Sequence, residues 1–243
     1  MGGTTEASLA ARALADAGVD AVFSYAGRTD APAQQPLPMR VGGFGGVQGL
    51  TDYLQSGAIT HVIDATHPFA AQMSRNAYAA CGALGLPLLS VQRAPWLAGA
   101  GDDWHHVGDI AGAVAALPSA PARVFLAIGK QNLAPFAALP QHHFLLRLVD
   151  APAAPPMPNC CVVIAKGPFD VAGDIALMQA HGITHIIAKN AGGQGAFAKL
   201  AAARTLGLPV VMIARPDAPL RDTAQTREEM LAWLAHHNAL RGV

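Results

Sequence analysis

The chain has 243 residues, 52% of them apolar, and its 16 basic and 16 acidic side chains give a formal net charge of zero. This balance argues against a broad nucleic-acid or anionic-membrane surface, and no apolar stretch approaches the ~20 residues of a membrane span. The N-terminus lacks the basic and apolar regions of a signal peptide, and three cysteines are too few for a disulfide framework. Because CxxC and HExxH pairs are also absent, these features predict a cytoplasmic protein without a metal site.

One pattern repeats along the chain: a short β-rich apolar run, a turn of Gly, Pro or polar residues, and an Ala/Leu-rich helical stretch. This alternation is typical of parallel βαβ units. The predicted strands are 21–25, 60–64, 87–92, 123–128, 144–149, 161–165, 185–188 and 209–213. The predicted helices begin near Thr5, Val47, Ala70, Gly108, Gln131, Asp170, Gly195 and Gln225.

Two successive βα units recur in the second half of the chain. ITHVIDATH at 59–67 resembles ITHIIAKNA at 183–191, a separation of 124 residues. LGLPLLSVQRAP from Leu84 matches LGLPVVMIARPDAP from Leu206, a separation of 122 residues. The repeat predicts an α/β protein of two Rossmann-like, doubly wound parallel-sheet domains, 1–118 and 119–243. Either duplication or independent convergence on the same βα pattern accounts for this repeat.

The first predicted domain has no recognisable opening strand. Shifting the second half back by about 124 residues places the strand at 124–128 immediately before and over residues 1–4. A parallel sheet without a central strand would expose strand edges and apolar faces, so we expect the natural chain to start upstream of Met1. A strand borrowed from elsewhere is the alternative.

The turn GGTTE at 2–6 opens the first predicted helix. Its backbone N–H groups and hydroxyls can bind a diphosphate, which the helix dipole also favours. The cofactor contacts predicted in this turn are Gly2, Gly3, Thr4, Thr5 and Glu6. The turn is not a GxGxxG fingerprint, and a plain capped helix start is the alternative.

Two further turns extend the predicted cofactor site. Ser24 and Arg28 of SYAGR follow a strand where an acid would select NAD. A guanidinium can hold a 2′-phosphate with two hydrogen bonds, so this pair favours NADPH, although a solvated loop arginine is the alternative. The glycines of GGFGG let the backbone approach a ligand closely, which adds Gly43, Phe44 and Gly45; a flexible loop tip is the alternative.

The motif DATHPFA places Asp64, Thr66 and His67 at the carboxyl end of a predicted strand. Open α/β sheets bind ligands at this edge. Asp64 and His67 are candidates for proton delivery or for positioning water, and Thr66 is a candidate cofactor contact. Asp64 capping the next helix, and His67 bonding the turn, are the alternatives.

The second half places a cation at or just after four strand ends, in GKQ, LRLVD, KGPFD and KNAGGQGA. Converging on one cleft, these cations would suit a polycarboxylate ligand; surface ion pairs are the alternative. The predicted substrate contacts are Lys130, Arg147, Lys166, Gly167, Lys189, Asn190, Gly192 and Gly193. No Ser-His-Asp or Cys-His arrangement is apparent, which favours chemistry carried by a cofactor.

Several of these motifs carry a family resemblance. At GGTTEA, SYAGR, GGFGG, DATHPFAAQMSRNA, RAPW, GKQNL, KGPF and KNAGGQGAFAKLAAAR the sequence strongly resembles the precorrin-6A reductase family of cobalamin biosynthesis, over nearly the whole chain. The resemblance implies an NADPH-dependent oxidoreductase of two Rossmann-like domains with the active site in the cleft between them. It implies reduction of one macrocycle double bond, which converts the tetrapyrrole precorrin-6A into precorrin-6B. The arginine of the family's SxAGR motif is Arg28 here.

Other functions stay open at this point. The same fold suits another NADP-dependent oxidoreductase or a nucleotide-sugar enzyme, because fold does not determine chemistry. A non-catalytic module of two lobes around an anion is the alternative from a different class. For a reductase, the proton comes from His67, Asp64 or bound water, and the substrate is metal-free or contains cobalt. We expect no nucleic-acid or membrane partner, and we favour a monomer.

Overall fold

The computed structural model describes residues 1–27 and 32–241, so the predicted cofactor residue Arg28 lies outside the described residues. The α-helices are α1 (Thr5–Asp16), α2 (Gly46–Ser56), α3 (Ala71–Leu84), α4 (Ile110–Ala115), α5 (Val171–Ala180), α6 (Ala198–Leu206) and α7 (Arg227–Arg241). The strands are β1 (Phe23–Tyr25), β2 (Met39–Val41), β3 (Val62–Asp64), β4 (Leu88–Val91), β5 (Trp104–Val107), β6 (Arg123–Ala127), β7 (His143–Leu148), β8 (Cys160–Ile164), β9 (His185–Lys189), β10 (Val210–Ile213) and β11 (Asp222–Ala224).

All eight predicted strands are present, as β1, β3, β4 and β6–β10. Three strands were missed: β2, β5 and β11. They are three or four residues long and carry polar or charged side chains, so no local apolar pattern marks them. The helix predicted near Gln131 is instead two short 3₁₀ segments, 130–132 and 134–138, the second with Pro135 in its first turn.

The chain divides into two compact units. One contains Met1–Ala94 and Asp217–Val243, and the other contains Pro95–Pro216. The predicted boundary at 118/119 differs from this division, because β5 pairs with β10 of the second unit and β11 pairs with β4 of the first. Each half of the chain therefore donates its last strand to the sheet that the other half builds.

The second unit is organised around a six-stranded parallel sheet of order β5-β10-β9-β6-β7-β8. The inner residues of its central strands, such as 124–126, 144–146 and 186–188, are apolar and buried, as expected for a parallel sheet covered on both faces. Phe125, Leu145, Ile186 and Met212 are buried in one core, against which α5 and α6 supply Met178 and Leu200. The carboxyl ends of β6, β7, β8 and β9 all lie along one edge of this sheet. The cations predicted to contact the substrate lie at or just after these strand ends.

The first unit has two smaller parallel sheets, β1-β2 and β11-β4-β3. The backbone of Met1 and Gly2 lies between them. The Met1 amino group donates to Ile63 O (2.9 Å), Ala65 N donates to Met1 O (3.0 Å), and Gly2 N donates to Ser24 O (3.0 Å). Two residues thus join β1 to β3, in the position that β6 holds between β7 and β9. The equivalent order of strands agrees with the sequence repeat.

A longer strand at this place should stabilise the first unit. We expect a short extension of apolar β-forming residues before Met1 to raise the melting temperature, because it would pair with the exposed edges of β1 and β3. It would also replace a partly buried amine with a peptide N–H; burial lowers the pKa of the Met1 amino group. A Gly/Ser extension of the same length separates the two effects in thermal melts. The expectation fails if the apolar extension melts no higher than the Gly/Ser control.

The rest of the first unit packs small side chains against this sheet. Ala7, Ala11 and Leu14 of α1 lie in one core with Phe23 and Leu89. Leu50, Leu54 and Ala77 place α2 against α3 in a second core. Alanine lets helix and strand backbones approach closely, which brings the start of α1 near the ends of β1 and β3. None of the helices in the described ranges has the length and apolarity that a membrane crossing needs.

Candidate functional site

The start of α1 is built from the predicted GGTTE turn. Thr4 caps the helix: its hydroxyl accepts from Ala7 N (3.0 Å) and donates to Ala65 O (2.9 Å), which ties the turn to the end of β3. Gly2 has no room for a side chain, because a Cβ there would lie 2.4 Å from Phe23 Cζ. The first intrahelical bond is Ser8 N to Thr4 O, so the Thr5 and Glu6 amides precede the helical ladder. Such amides at a positive dipole end are suited to a phosphate.

One cleft beside this turn collects five of the predicted cofactor residues. Gly2, Ser24, Gly43, Phe44 and Thr66 line it. Its other lining residues are Met1, Ala26, Gly42 and Met73. The lining comes from the end of β1, the GGFGG turn and the end of β3, which are distant in sequence. The structure therefore brings the predicted cofactor turns together within the first unit.

Three other predicted cofactor residues either make structural contacts or have open space around them. Gly45 is the N-cap of α2 in a left-handed conformation (φ 82°). Gly3 has φ 128°, and a Cβ placed on it would have no atom within 4 Å. The Glu6 carboxylate accepts from Arg93 Nη1 at 2.6 Å, so its charge is balanced. An unpaired carboxylate beside a phosphate site would repel the ligand. Arg93 was not among the sequence candidates for this site.

Asp64 is the centre of a buried hydrogen-bond network. It is 2% exposed, and its Oδ1 accepts from Thr66 N (3.1 Å) and Thr66 Oγ1 (2.6 Å). Its Oδ2 accepts from Ser74 Oγ (2.6 Å) and Arg221 Nη2 (3.4 Å). Burial, with a smaller contribution from the Asp64 charge, raises the pKa of the nearby Cys81 thiol to about 11. These contacts support a positioning role for Asp64, since they hold the turn that carries Thr66.

His67 is the more accessible of the two candidate proton donors. The residue is half-buried, and its Nδ1 accepts from Phe69 N at 3.2 Å, within the turn before α3. An accepting Nδ1 carries no proton, so a neutral His67 ring has its proton on Nε2. Of the three candidates for proton delivery, His67 and bound water are therefore better supported than Asp64.

The predicted cations of the second unit differ in their surroundings. Lys130 and Lys166 are exposed, after β6 and β8 respectively. Lys189, at the end of β9, is half-buried and donates to Asn132 Oδ1 at 2.6 Å. Burial lowers the pKa of the Lys189 ammonium group. Because β9, β6, β7 and β8 are successive neighbours at about 4.8 Å spacing, Lys189 and Lys166 follow strands about 14 Å apart.

The contacts of Arg147 do not support its predicted role as a substrate contact. Its guanidinium pairs with Asp174, which is 2% exposed, and lies 3.6 Å from the centroid of the Phe169 ring. A charge that is balanced and stacked in this way is not offered to a ligand. Arg147 instead holds the segment that contains Gly167 and Phe169 against the sheet.

Asn190 is likewise occupied by protein contacts. It is 8% exposed, its Oδ1 accepts from Trp96 N (2.8 Å) and its Nδ2 donates to Trp96 O (2.9 Å). The following glycines, Gly192 and Gly193, are both left-handed (φ 71° and 70°), and Gly193 O accepts from Trp96 Nε1. The KNAGG turn is therefore anchored to the RAPW segment, which supports a positioning role for Asn190.

Comparison with known proteins identifies the family. A model of the precorrin-6x reductase family, CbiJ/CobK, matches residues 1–235. The chain belongs to this family. It is 64% identical over 245 residues to a precorrin-6A reductase from Rhodobacter capsulatus, covering 100% of this chain and 98% of that protein. It is 43% identical over 236 residues to a precorrin-6A reductase from Rhodococcus erythropolis, covering 96% and 95%.

A solved structure of CobK precorrin-6A reductase has the same fold. It superposes with a TM-score of 0.93 at 64% identity, covering 97% of this chain and 94% of that one. The protein is thus an oxidoreductase of cobalamin biosynthesis with an α/β fold of parallel sheets. The resemblance stated from its motifs is confirmed.

Besides Arg93, two further arginines near the site were not among the sequence candidates. Arg221 reaches Asp64 although 157 residues separate them. Arg40 contacts Ser24, 16 residues away, from the neighbouring strand β2. Neither lies in a predicted strand or a glycine-rich turn, so no local pattern singled them out. The positions of Arg40 and Arg221 follow only from the pairing of β2 with β1 and of β11 with β4.

Proposed function

We propose that the protein reduces precorrin-6A to precorrin-6B, with NADPH as the hydride donor. The observation that carries this proposal is the cleft of the first unit, where Gly2, Ser24, Gly43, Phe44 and Thr66 meet beside the start of α1. A glycine-rich turn, a helix N-terminus and a strand end without an acid are the elements that an NADP site combines. Family membership and the names of the relatives support the substrate.

The residues of this chain would hold NADPH through three kinds of contact. The Thr5 and Glu6 amides bind the diphosphate, and Ser24 and Arg28 bind the phosphorylated ribose. The Gly43 and Phe44 backbone closes over the cofactor, since glycine permits close approach. NADPH supplies the hydride, so the chain needs to orient the reactants and exclude water more than to provide a nucleophile.

The second unit is proposed to bind the substrate. Precorrin-6A carries acetate and propionate groups around a wide ring, and such a ligand needs dispersed cations. Lys130, Lys166 and Lys189 lie at or just after the carboxyl ends of three strands of one sheet. They are proposed to hold carboxylates, while the KNAGG turn fixes the backbone next to Lys189. His67 or bound water delivers the proton to the carbon next to the reduced position.

The direct test is anaerobic incubation of the protein with precorrin-6A and NADPH. We expect NADPH oxidation together with a change in the absorbance of the macrocycle, and a product with the mass of precorrin-6B. NADH in place of NADPH is the cofactor control. NADPH binding without substrate turnover would leave a cofactor-binding protein and contradict the proposed reaction.

The cofactor preference has its own prediction. Arg28→Ala should weaken NADPH binding by ~1.5–3 kcal/mol, or ~10–150-fold, because a charge-assisted contact to the 2′-phosphate is lost. NADH binding should be nearly unchanged, because NADH has no 2′-phosphate. Fluorescence titration with both dinucleotides measures the two affinities. Equal losses for the two cofactors would contradict the assignment of Arg28.

A further inference from the structure

Arg40 contacts three residues that line the proposed cofactor cleft, Ser24, Gly42 and Gly43. It is in β2, directly opposite Ser24 of β1 in the parallel register. Its Nη1 donates to Ser24 Oγ (2.9 Å) and to Gly42 O (2.9 Å), and its Nη2 donates to Gly43 O (3.2 Å). Three of the residues that line the cleft are therefore joined by one guanidinium.

The guanidinium of Arg40 is held in a defined plane. Its Cζ lies 3.9 Å from the centroid of the Phe44 ring and 5.1 Å from that of Tyr53. Phe44 is itself fixed against α2, because its carbonyl oxygen occupies the space that a Cβ at Gly49 would need, 1.8 Å away. Stacking and hydrogen bonds together restrict the side chain before a ligand arrives, which lowers the entropic cost of binding.

One edge of this guanidinium has hydrogen-bond donors to spare. An arginine has five N–H donors, and the three contacts above use both Nη1 hydrogens and one Nη2 hydrogen. Within residues 1–27 and 32–241, no acceptor contacts Nε or the second Nη2 hydrogen. Nε and Nη2 form the side edge of the guanidinium, which matches two oxygens of a phosphate.

We propose that Arg40 is a specificity-determining residue that binds the 2′-phosphate of the adenosine ribose through its Nε–Nη2 edge. This inference rests on the proposed use of NADPH and names a second arginine in addition to Arg28. Arg40 also orients the Ser24 hydroxyl, at the strand end where an acid would select NAD. A positively charged, half-buried and pre-oriented group at this place discriminates between the two cofactors, because only NADPH carries the 2′-phosphate.

Binding of two small nucleotides tests the proposal without turnover. Adenosine 2′,5′-bisphosphate carries the 2′-phosphate, and adenosine 5′-monophosphate lacks it. By calorimetry, Arg40→Gln should weaken the bisphosphate ~10–150-fold and change the monophosphate by no more than about twofold. Arg40→Lys should fall between parent and Arg40→Gln, because an ammonium keeps the charge but not the paired donors. Arg12→Gln, at an exposed position of α1, is the charge-matched control and should bind both as the parent does.

The outcomes separate this inference from the proposed function. If the parent binds both nucleotides equally, the preference for NADPH is wrong. If the parent prefers the bisphosphate and Arg40→Gln keeps that preference, only the Arg40 assignment is wrong. Equal weakening of both nucleotides would mean that Arg40 merely shapes the turn, which also overturns the assignment. Thermal melts establish that each variant is folded, and if Arg40→Gln is unfolded, a parent-like preference in Arg40→Lys overturns the two-oxygen contact.

Discussion

Replacing Asp64 with alanine should lower the free energy of unfolding by about 3–5 kcal/mol, because it leaves a buried arginine without its counter-charge. Asp64 and Arg221 side chains are only 2% and 5% exposed. Arg221 Nη2 would keep Ser90 Oγ (3.1 Å), while its Nε and Nη1 already have no partner among the described residues. Thr66 and Ser74 would also lose their acceptor. Urea denaturation of parent and variant measures the difference.

The matched control is an exposed ion pair of the same unit. Arg227 and Asp16 are 3.9 Å apart, with side chains 54% and 64% exposed. Asp16→Ala should change the unfolding free energy by no more than about 1 kcal/mol, because water solvates the remaining charge. A double variant, Asp64→Ala with Arg221→Met, should recover part of the loss by removing the orphaned charge. An Asp64→Ala variant as stable as Asp16→Ala would contradict the prediction.

The same residue allows a test of its chemical role. Asp64→Asn keeps an acceptor oxygen for the Thr66 turn but cannot exchange a proton at neutral pH. If Asp64 only positions Thr66, the folded Asn variant should keep most of its cofactor affinity and most of its kcat at saturating NADPH, because the acceptor for Thr66 N and Thr66 Oγ1 remains. If Asp64 delivers the proton, kcat should fall with unchanged cofactor affinity. His67→Gln, measured in parallel, should show the second pattern if His67 is the donor.

Replacing Lys189 or Lys166 with alanine should raise the KM for precorrin-6A by ~5–150-fold while NADPH affinity stays within about twofold. Each lysine is proposed to hold a substrate carboxylate, and a charge-assisted contact contributes ~1–3 kcal/mol. Lys189 is half-buried, so its contact should be less screened by salt than that of the exposed Lys166. Steady-state kinetics at two ionic strengths measure both effects.

The control for the lysine variants is a cation far from the carboxyl edge of the sheet. Arg204 lies in the last turn of α6, before the amino end of β10, and pairs with Asp102 at 2.7 Å. Arg204→Gln should leave the KM for precorrin-6A unchanged. Parent-like kinetics in both lysine variants would contradict the assignment of the substrate to the second unit.

The sequence by itself determined most of the regular structure and the location of the predicted cofactor turns. Eight strands were predicted because short apolar runs alternate with helical stretches, a signal that local side-chain chemistry carries. Turns that follow such strands must gather at the carboxyl edge of a parallel sheet. For this reason Ser24 and Thr66 could be assigned to one site before their contacts were known, whereas Phe44 was assigned from the glycines around it.

Only the tertiary structure decided which side chains at that edge are already occupied. Arg147 and Asn190 have the residue type and spacing of ligand contacts, yet Asp174 and the Trp96 backbone occupy them. The position of a residue in the sequence indicates that its polar group lies near the edge of a sheet. It does not indicate whether a buried partner neutralises that group, because the partner comes from another element.

The tertiary structure also decided the exchange of strands. β5 and β11 are short and polar, and each forms only at the edge of an existing sheet, beside β10 and β4. Their pairing depends on backbone hydrogen bonds offered by a strand that is distant in the chain, so local sequence does not encode it. That exchange brings Arg221 to Asp64 across 157 residues of sequence. The sequence thus determined where the predicted cofactor turns lie, and long-range strand pairing determined which residues hold them in place.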